Sequence, residues 1–143
     1  MGRARHEIVA AAAALVADGG VRAVTMAGVA RTAGVAKATV YNHVRDRDEL
    51  LSAVLRDQAD QLQRDVEAQP RQQRLGAAAA WVSQSPVVQG LRRHDPDVVL
   101  ELGAAAVTNP AALEAVARWT PDGRDPEAAL RWLMSYAVSP GHP

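Results

Sequence analysis

The sequence predicts an all-α fold, and three observations predict it. Alanine, the strongest helix former, supplies 30 of the 143 residues. Apolar residues recur at three- and four-residue intervals rather than in alternation. Asp95-Pro96, Asn109-Pro110 and Asp125-Pro126 each set a capping side chain directly before a proline, which suits an N-cap followed by the first helical position. No segment reads as a strand. The length suits one domain, or a small domain joined to a partial second one, and leaves no room for a two-domain enzyme.

The elements follow in order. Residues 5–17 form an Ala-rich helix with Ile8, Ala11, Ala12, Leu15 and Val16 on one face, stopped by Gly19-Gly20. Thr25 N-caps a short helix through residue 33, with Met26, Val29 and Ala30 inward, and Gly34 turns the chain. A third helix covers about 36–44. Asp46-Arg47-Asp48-Glu49 reads as a capping box, Asp46 accepting from the backbone and Glu49 reaching back. It opens a long helix carrying Leu50, Leu51, Val54, Leu55 and Leu62 to about Gln69, before Pro70. A helix is expected over about 72–84 around Trp81, and further helices start near 96, 110 and 126. The last places Leu130, Leu133, Met134, Ala137 and Val138 on one face, with Trp132 and Tyr136 on a neighbouring one. The architecture is thus a three-helix head over residues 1–47 and a body over 48–143, in which a long linking fourth helix leads to a short helical bundle.

Composition excludes several classes. There is no Cys, so there is no disulfide scaffold, thiolate metal site or cysteine nucleophile. No charge-free run reaches the roughly 20 apolar residues of a membrane span, and no secretory leader opens the chain, which places it in the cytoplasm. His6, His94 and His142 are scattered, so no metal is expected, and His43 has no nucleophile or orienting carboxylate at triad-like spacing. With no acid/base constellation, neither enzyme nor cofactor is expected. The chain has no Phe and one Ile, so its helices pack thinly and call for a partner subunit.

The zero net charge hides a gradient. Residues 1–47 hold seven basic residues against three acidic ones, about +4, leaving about −4 on the remainder. A basic head on an acidic body is the asymmetry expected when one end meets a polyanion.

Residues 25–50 are the informative segment. Two short helices joined by a tight glycine turn have the geometry of a helix-turn-helix, whose second helix enters a major groove. That helix exposes Lys37, Thr39, Tyr41, Asn42 and His43, side chains that bond phosphate oxygens and base edges.

Residues 25–51, TMAGVARTAGVAKATVYNHVRDRDELL, resemble the DNA-binding domain of the TetR family of transcriptional regulators. The likeness covers about residues 5–56 without gaps, and the helix closed by Ala17-Asp18-Gly19-Gly20 fits that family's first helix. Carried over residue by residue, the resemblance implies that Thr25 bonds a phosphate, while Lys37, Ala38 and Thr39 face bases. Tyr41 and His43 hold the phosphate backbone, Asn42 reaches backbone or base, and Arg47 stands in for the usual Lys as a phosphate contact. Ala36, Ala38 and Val44 depart from the family's Ser, Gly and Phe, which removes a hydroxyl, crowds the backbone's approach to the bases and thins the core.

The resemblance also implies a homodimer joined through the last two helices, about 110–119 and 126–138, acting as a repressor on a palindromic double-stranded DNA operator. A small-molecule inducer would release it. Trp81, Trp119, Trp132, Met134 and Tyr136 are candidates to line a pocket for a small hydrophobic ligand, with core or dimer interface as the alternative. The residues leave open a second class, a helical ligand-binding or protein-interaction dimer with weak or lost sequence-specific DNA binding.

Overall fold

The structure, a computed structural model, describes residues 2–121 and 123–139. His142 lies outside them. Among the described residues the chain forms nine α-helices and no strand. They are α1 (Arg3–Gly19), α2 (Met26–Ala33), α3 (Lys37–His43), α4 (Arg47–Glu67), α5 (Arg74–Gln84), α6 (Pro86–His94), α7 (Pro96–Val107), α8 (Pro110–Trp119) and α9 (Pro126–Val138). Single 3-10 turns at Val21–Ala23 and Arg71–Gln73 join α1 to α2 and α4 to α5. No single helix among the described residues is long and apolar enough to cross a membrane.

Most helix starts form as their sequences dictate. Thr25 Oγ1 accepts from the Gly28 N–H at 3.0 Å and Asp46 Oδ1 from the Glu49 N–H at 2.9 Å. Asn109 and Asp125 accept from the N–H two residues on, at 2.9 and 3.0 Å, and Pro110 and Pro126 follow them. Two caps differ from expectation. Glu49 reaches back past Asp46 and accepts from the Arg45 N–H at 2.6 Å. Asp95 makes no cap on α7, because its Oδ2 accepts instead from the Val21 N–H at 2.8 Å. The helix α6 is absent from the sequence reading, although Ser85-Pro86 repeats the cap–proline pairing and Ser85 Oγ accepts from the Val88 N–H.

Two apolar clusters form the core. The first gathers Ile8, Val16, Val29, Val40, Leu50 and Val54 from α1 to α4, and continues through Val82, Val87, Leu91, Val99 and Ala137 of the body. The second lies within the body, where Val66, Ala78, Val116, Trp119, Leu130 and Leu133 meet. Helix α9 packs against α5, α7 and α8, which buries the stripe Ala129, Leu130, Leu133 and Ala137. That stripe leaves Met134 half-buried and Val138 49% exposed, where the sequence expected both inward.

Helix α1 belongs to both halves. One side packs on α2 and α4, and the other packs on α6 more extensively than any other pair of elements does. Gly90 permits this approach. A side chain there would meet the Val16 carbonyl, and its Cβ would fall 2.7 Å from Ala17 Cα.

Candidate nucleic-acid interface

The head presents α3 on a fixed support. Gly34 adopts the left-handed conformation, φ 70° and ψ 32°, which a side chain would strain, and its N–H closes the end of α2. Val35 N–H then bonds Ala30 O at 3.0 Å, completing the turn between α2 and α3. Val40 and Val44 are buried beneath α3 with Val29 and Leu50, so the helix cannot roll without opening the core. Val44 is 2% exposed, so the head closes without an aromatic ring at that position.

Burying Val40 and Val44 fixes what faces outward. Lys37, Ala38, Tyr41 and Asn42 are exposed and form one stripe at helical spacing, with Tyr41 49% exposed. Thr39 and His43 are half-buried along its flank. Seven residues make α3 about 10 Å long, which suits a major groove about 12 Å wide. Thr25 is exposed at the N-terminus of α2.

Two arginines act differently from what their charge suggests. The Arg47 guanidinium turns toward the protein, where Nε donates to Val24 O at 2.7 Å and a terminal nitrogen donates to Val21 O. It ties the start of α4 to the turn over residues 21–24. Arg5, which sequence reasoning missed, donates from α1 to the His43 carbonyl at 2.7 Å. That bond satisfies an open carbonyl at the C-terminus of α3, where a cation also meets the favourable end of the helix dipole. A basic residue in the first helix gives no sequence signal for a bond across 38 positions. Arg45 is exposed and pairs with Glu49 at 3.3 Å, and the Arg45 N–H, with lesser help from its side chain, holds the Glu49 carboxyl below the usual glutamate range.

Of the five candidate pocket residues, Met134 and Tyr136 pack against the cluster that holds Trp119, Trp132 touches Tyr136, and Trp81 lines a separate groove. Trp119 is 3% exposed in the second cluster, and its Nε1 donates to Glu67 at 3.4 Å. Trp132 is 43% exposed and meets Tyr136 edge-on, with ring centres 5.0 Å apart. Met134 packs beside Gly103 of α7, with its Sδ 3.6 Å from where a Cβ would stand. Trp81 lies apart from these on a groove of about 570 Å³ at the junction of α1, α4, α5 and α6.

No curated protein matches the chain. The model of the bacterial regulatory proteins, tetR family, matches residues 8–54, the segment from α1 through the first two turns of α4 that builds the head. An outward polar stripe on the second helix of a tight helix-turn-helix, inside that match, is what DNA reading requires, and residues 8–54 form a DNA-binding domain of the TetR-family type.

Proposed function

We propose that the protein is a homodimeric repressor of the cytoplasm that grips a palindromic operator and is released by a small molecule. The observation that carries this reading is the exposed stripe of Lys37, Ala38, Tyr41 and Asn42 on a helix whose opposite face is locked into the core. In this reading residues 1–47 read DNA and 48–143 assemble and regulate. Lys37, Ala38 and Thr39 meet base edges, Thr25, Tyr41 and His43 hold phosphates, and Asn42 serves either. Arg47 contributes by fixing the turn that leads to Thr25, with its remaining N–H groups toward the backbone phosphates.

The dimer follows from exposed apolar surface. Leu100 on α7 is 57% exposed, and Trp132 and Val138 add large apolar area on the neighbouring α9. Helix α8 exposes only Pro110, alanines and charged residues, so α7 and α9 rather than α8 and α9 supply the large apolar side chains for a partner. Two-fold pairing would set two copies of α3 about one DNA turn, roughly 34 Å, apart.

Binding to DNA flanking the protein's own gene, measured across a salt series, tests the reading. A dimer neutralising several phosphates loses affinity with a log–log slope of several units and protects a two-fold symmetric site. Weak, flat binding to every sequence would leave a helical dimer without a DNA-reading role.

A further inference from the structure

We infer that the groove between head and body is a binding site for a flat aromatic molecule carrying one positive charge. The inference rests on the regulator reading for its purpose, and names the ligand class and the site.

The groove has the volume of a small-molecule site, about 570 Å³. Its wall on α1 is Ala13, Ala14 and Ala17, whose lack of longer side chains leaves a flat apolar shelf. The Trp81 indole also lines the groove, and its Nε1 donates to Asp65 at 3.1 Å, which fixes the ring. Alanine methyls and an indole are surfaces on which a planar ring system packs.

Two amides on α4 are pre-oriented by their neighbours. Gln58 Oε1 accepts from Ser85 Oγ at 3.2 Å, so its amide N–H groups are the part left for a ligand. Gln61 Nε2 donates to Asp57 at 2.7 Å, which leaves its carbonyl oxygen as an acceptor. The site therefore offers a donor and an acceptor three residues apart on one helix.

Charge completes the choice. Asp18 is the only ionisable residue lining the groove, is exposed, and has no ion pair among the described residues. No Lys or Arg lines it, so an anion would meet repulsion with nothing to offset it, whereas a cation gains both Asp18 and the face of Trp81.

The test titrates uniformly 15N-labelled full-length protein, without DNA, with three probes sharing one ring: 1-naphthylmethylamine, 1-naphthalenemethanol and 1-naphthoate. The three tryptophans give three indole N–H signals, and Trp81→Phe assigns one of them. The amine should shift the Trp81 signal with a Kd of about 1 mM or below, and bind about tenfold more tightly than the carboxylate. Asp18→Asn, a change at an exposed position, should weaken the amine several-fold toward the affinity of the alcohol, the Trp81 face keeping the remainder, and leave the alcohol itself unchanged. The inference is overturned if the carboxylate binds as tightly as the amine, or if Asp18→Asn leaves the amine's affinity unchanged. It is equally overturned if Trp119 or Trp132 responds while Trp81 does not, or if no shift saturates at about ten times that concentration. Because DNA is absent, a silent Trp81 with operator binding intact removes this site alone, while loss of operator binding with the titration intact removes the regulator reading alone.

Discussion

The Asp95 carboxylate accepts a hydrogen bond from the Val21 backbone N–H at 2.8 Å, across 74 positions of sequence. Val21 opens the 3-10 turn that follows α1, and Asp95 stands where α6 gives way to α7. One end of this bond belongs to the reading head and the other to the body. Asp95→Ala leaves the Val21 N–H without its partner and should cost about 1–3 kcal/mol. Chemical denaturation measures the loss, and faster amide exchange at Val21 would locate it.

The α1–α6 contact is tighter still. Gly90→Val places a side chain against the Val16 carbonyl and the Ala17 backbone, neither of which can swing aside. The helices must separate, at about 1–3 kcal/mol. Far-ultraviolet dichroism should keep the helical signal while the thermal midpoint falls. An unchanged midpoint would mean that the seam is looser than the structure shows.

Arg47 and Tyr41 should separate fold from recognition. Arg47→Ala removes two charge-assisted bonds to the Val21 and Val24 carbonyls and should cost about 2–3 kcal/mol of stability along with DNA affinity. Tyr41→Phe removes an exposed hydroxyl and should change stability by less than about 0.5 kcal/mol while weakening binding to all DNA sequences alike. Thermal melts paired with binding isotherms check both.

Acid should weaken the body through Glu67. Its carboxylate accepts from Arg118 at 2.9 to 3.0 Å and from Trp119, and the Arg118 hydrogen bonds foremost hold it below the usual glutamate range. The folded state therefore binds this proton less readily than the unfolded chain. The stabilisation is present at neutral pH and is lost as pH falls through the glutamate range and below it. Glu67→Gln should flatten that acid limb in a plot of thermal midpoint against pH, by a small amount because the pair is partly solvated.

If α7 and α9 bury a partner, a charge there should release it. Leu100→Glu combined with Trp132→Glu should halve the mass found by sedimentation and leave the helical content unchanged, since both residues are exposed in the single chain. An unaltered mass would place the interface elsewhere.

Local rules made much of this fold legible. Thr25, Asp46, Asn109 and Asp125 cap as their positions demand, because each cap involves only the next turn. Gly34 between two apolar-faced helices made the helix-turn-helix readable for the same reason. Long-range choices were hidden. Asp95 had a local partner on offer and took Val21 instead, and nothing local marks Arg47 as the donor that ties α4 to the carbonyls of Val21 and Val24. Trp81, Trp119 and Trp132 share a residue type, but tertiary packing sends one to a groove, one to the core and one to the surface. Ser85-Pro86 carries the same cap–proline signal, but a nine-residue helix directly beside another merges with it into one pattern.

The shared position of α1 bears on how such a protein can be rebuilt. A chimera that grafts residues 1–56 onto a foreign helical body would carry a bare backbone edge at Val16 and Ala17, and an unpartnered Val21 N–H, shaped to one glycine and one aspartate. Without a Gly90 to admit that edge and an Asp95 to hold that N–H, the transplanted head would sit askew on its new host. Head and body are fitted to each other at Gly90 and Asp95, so a head moved to another body needs both positions moved with it.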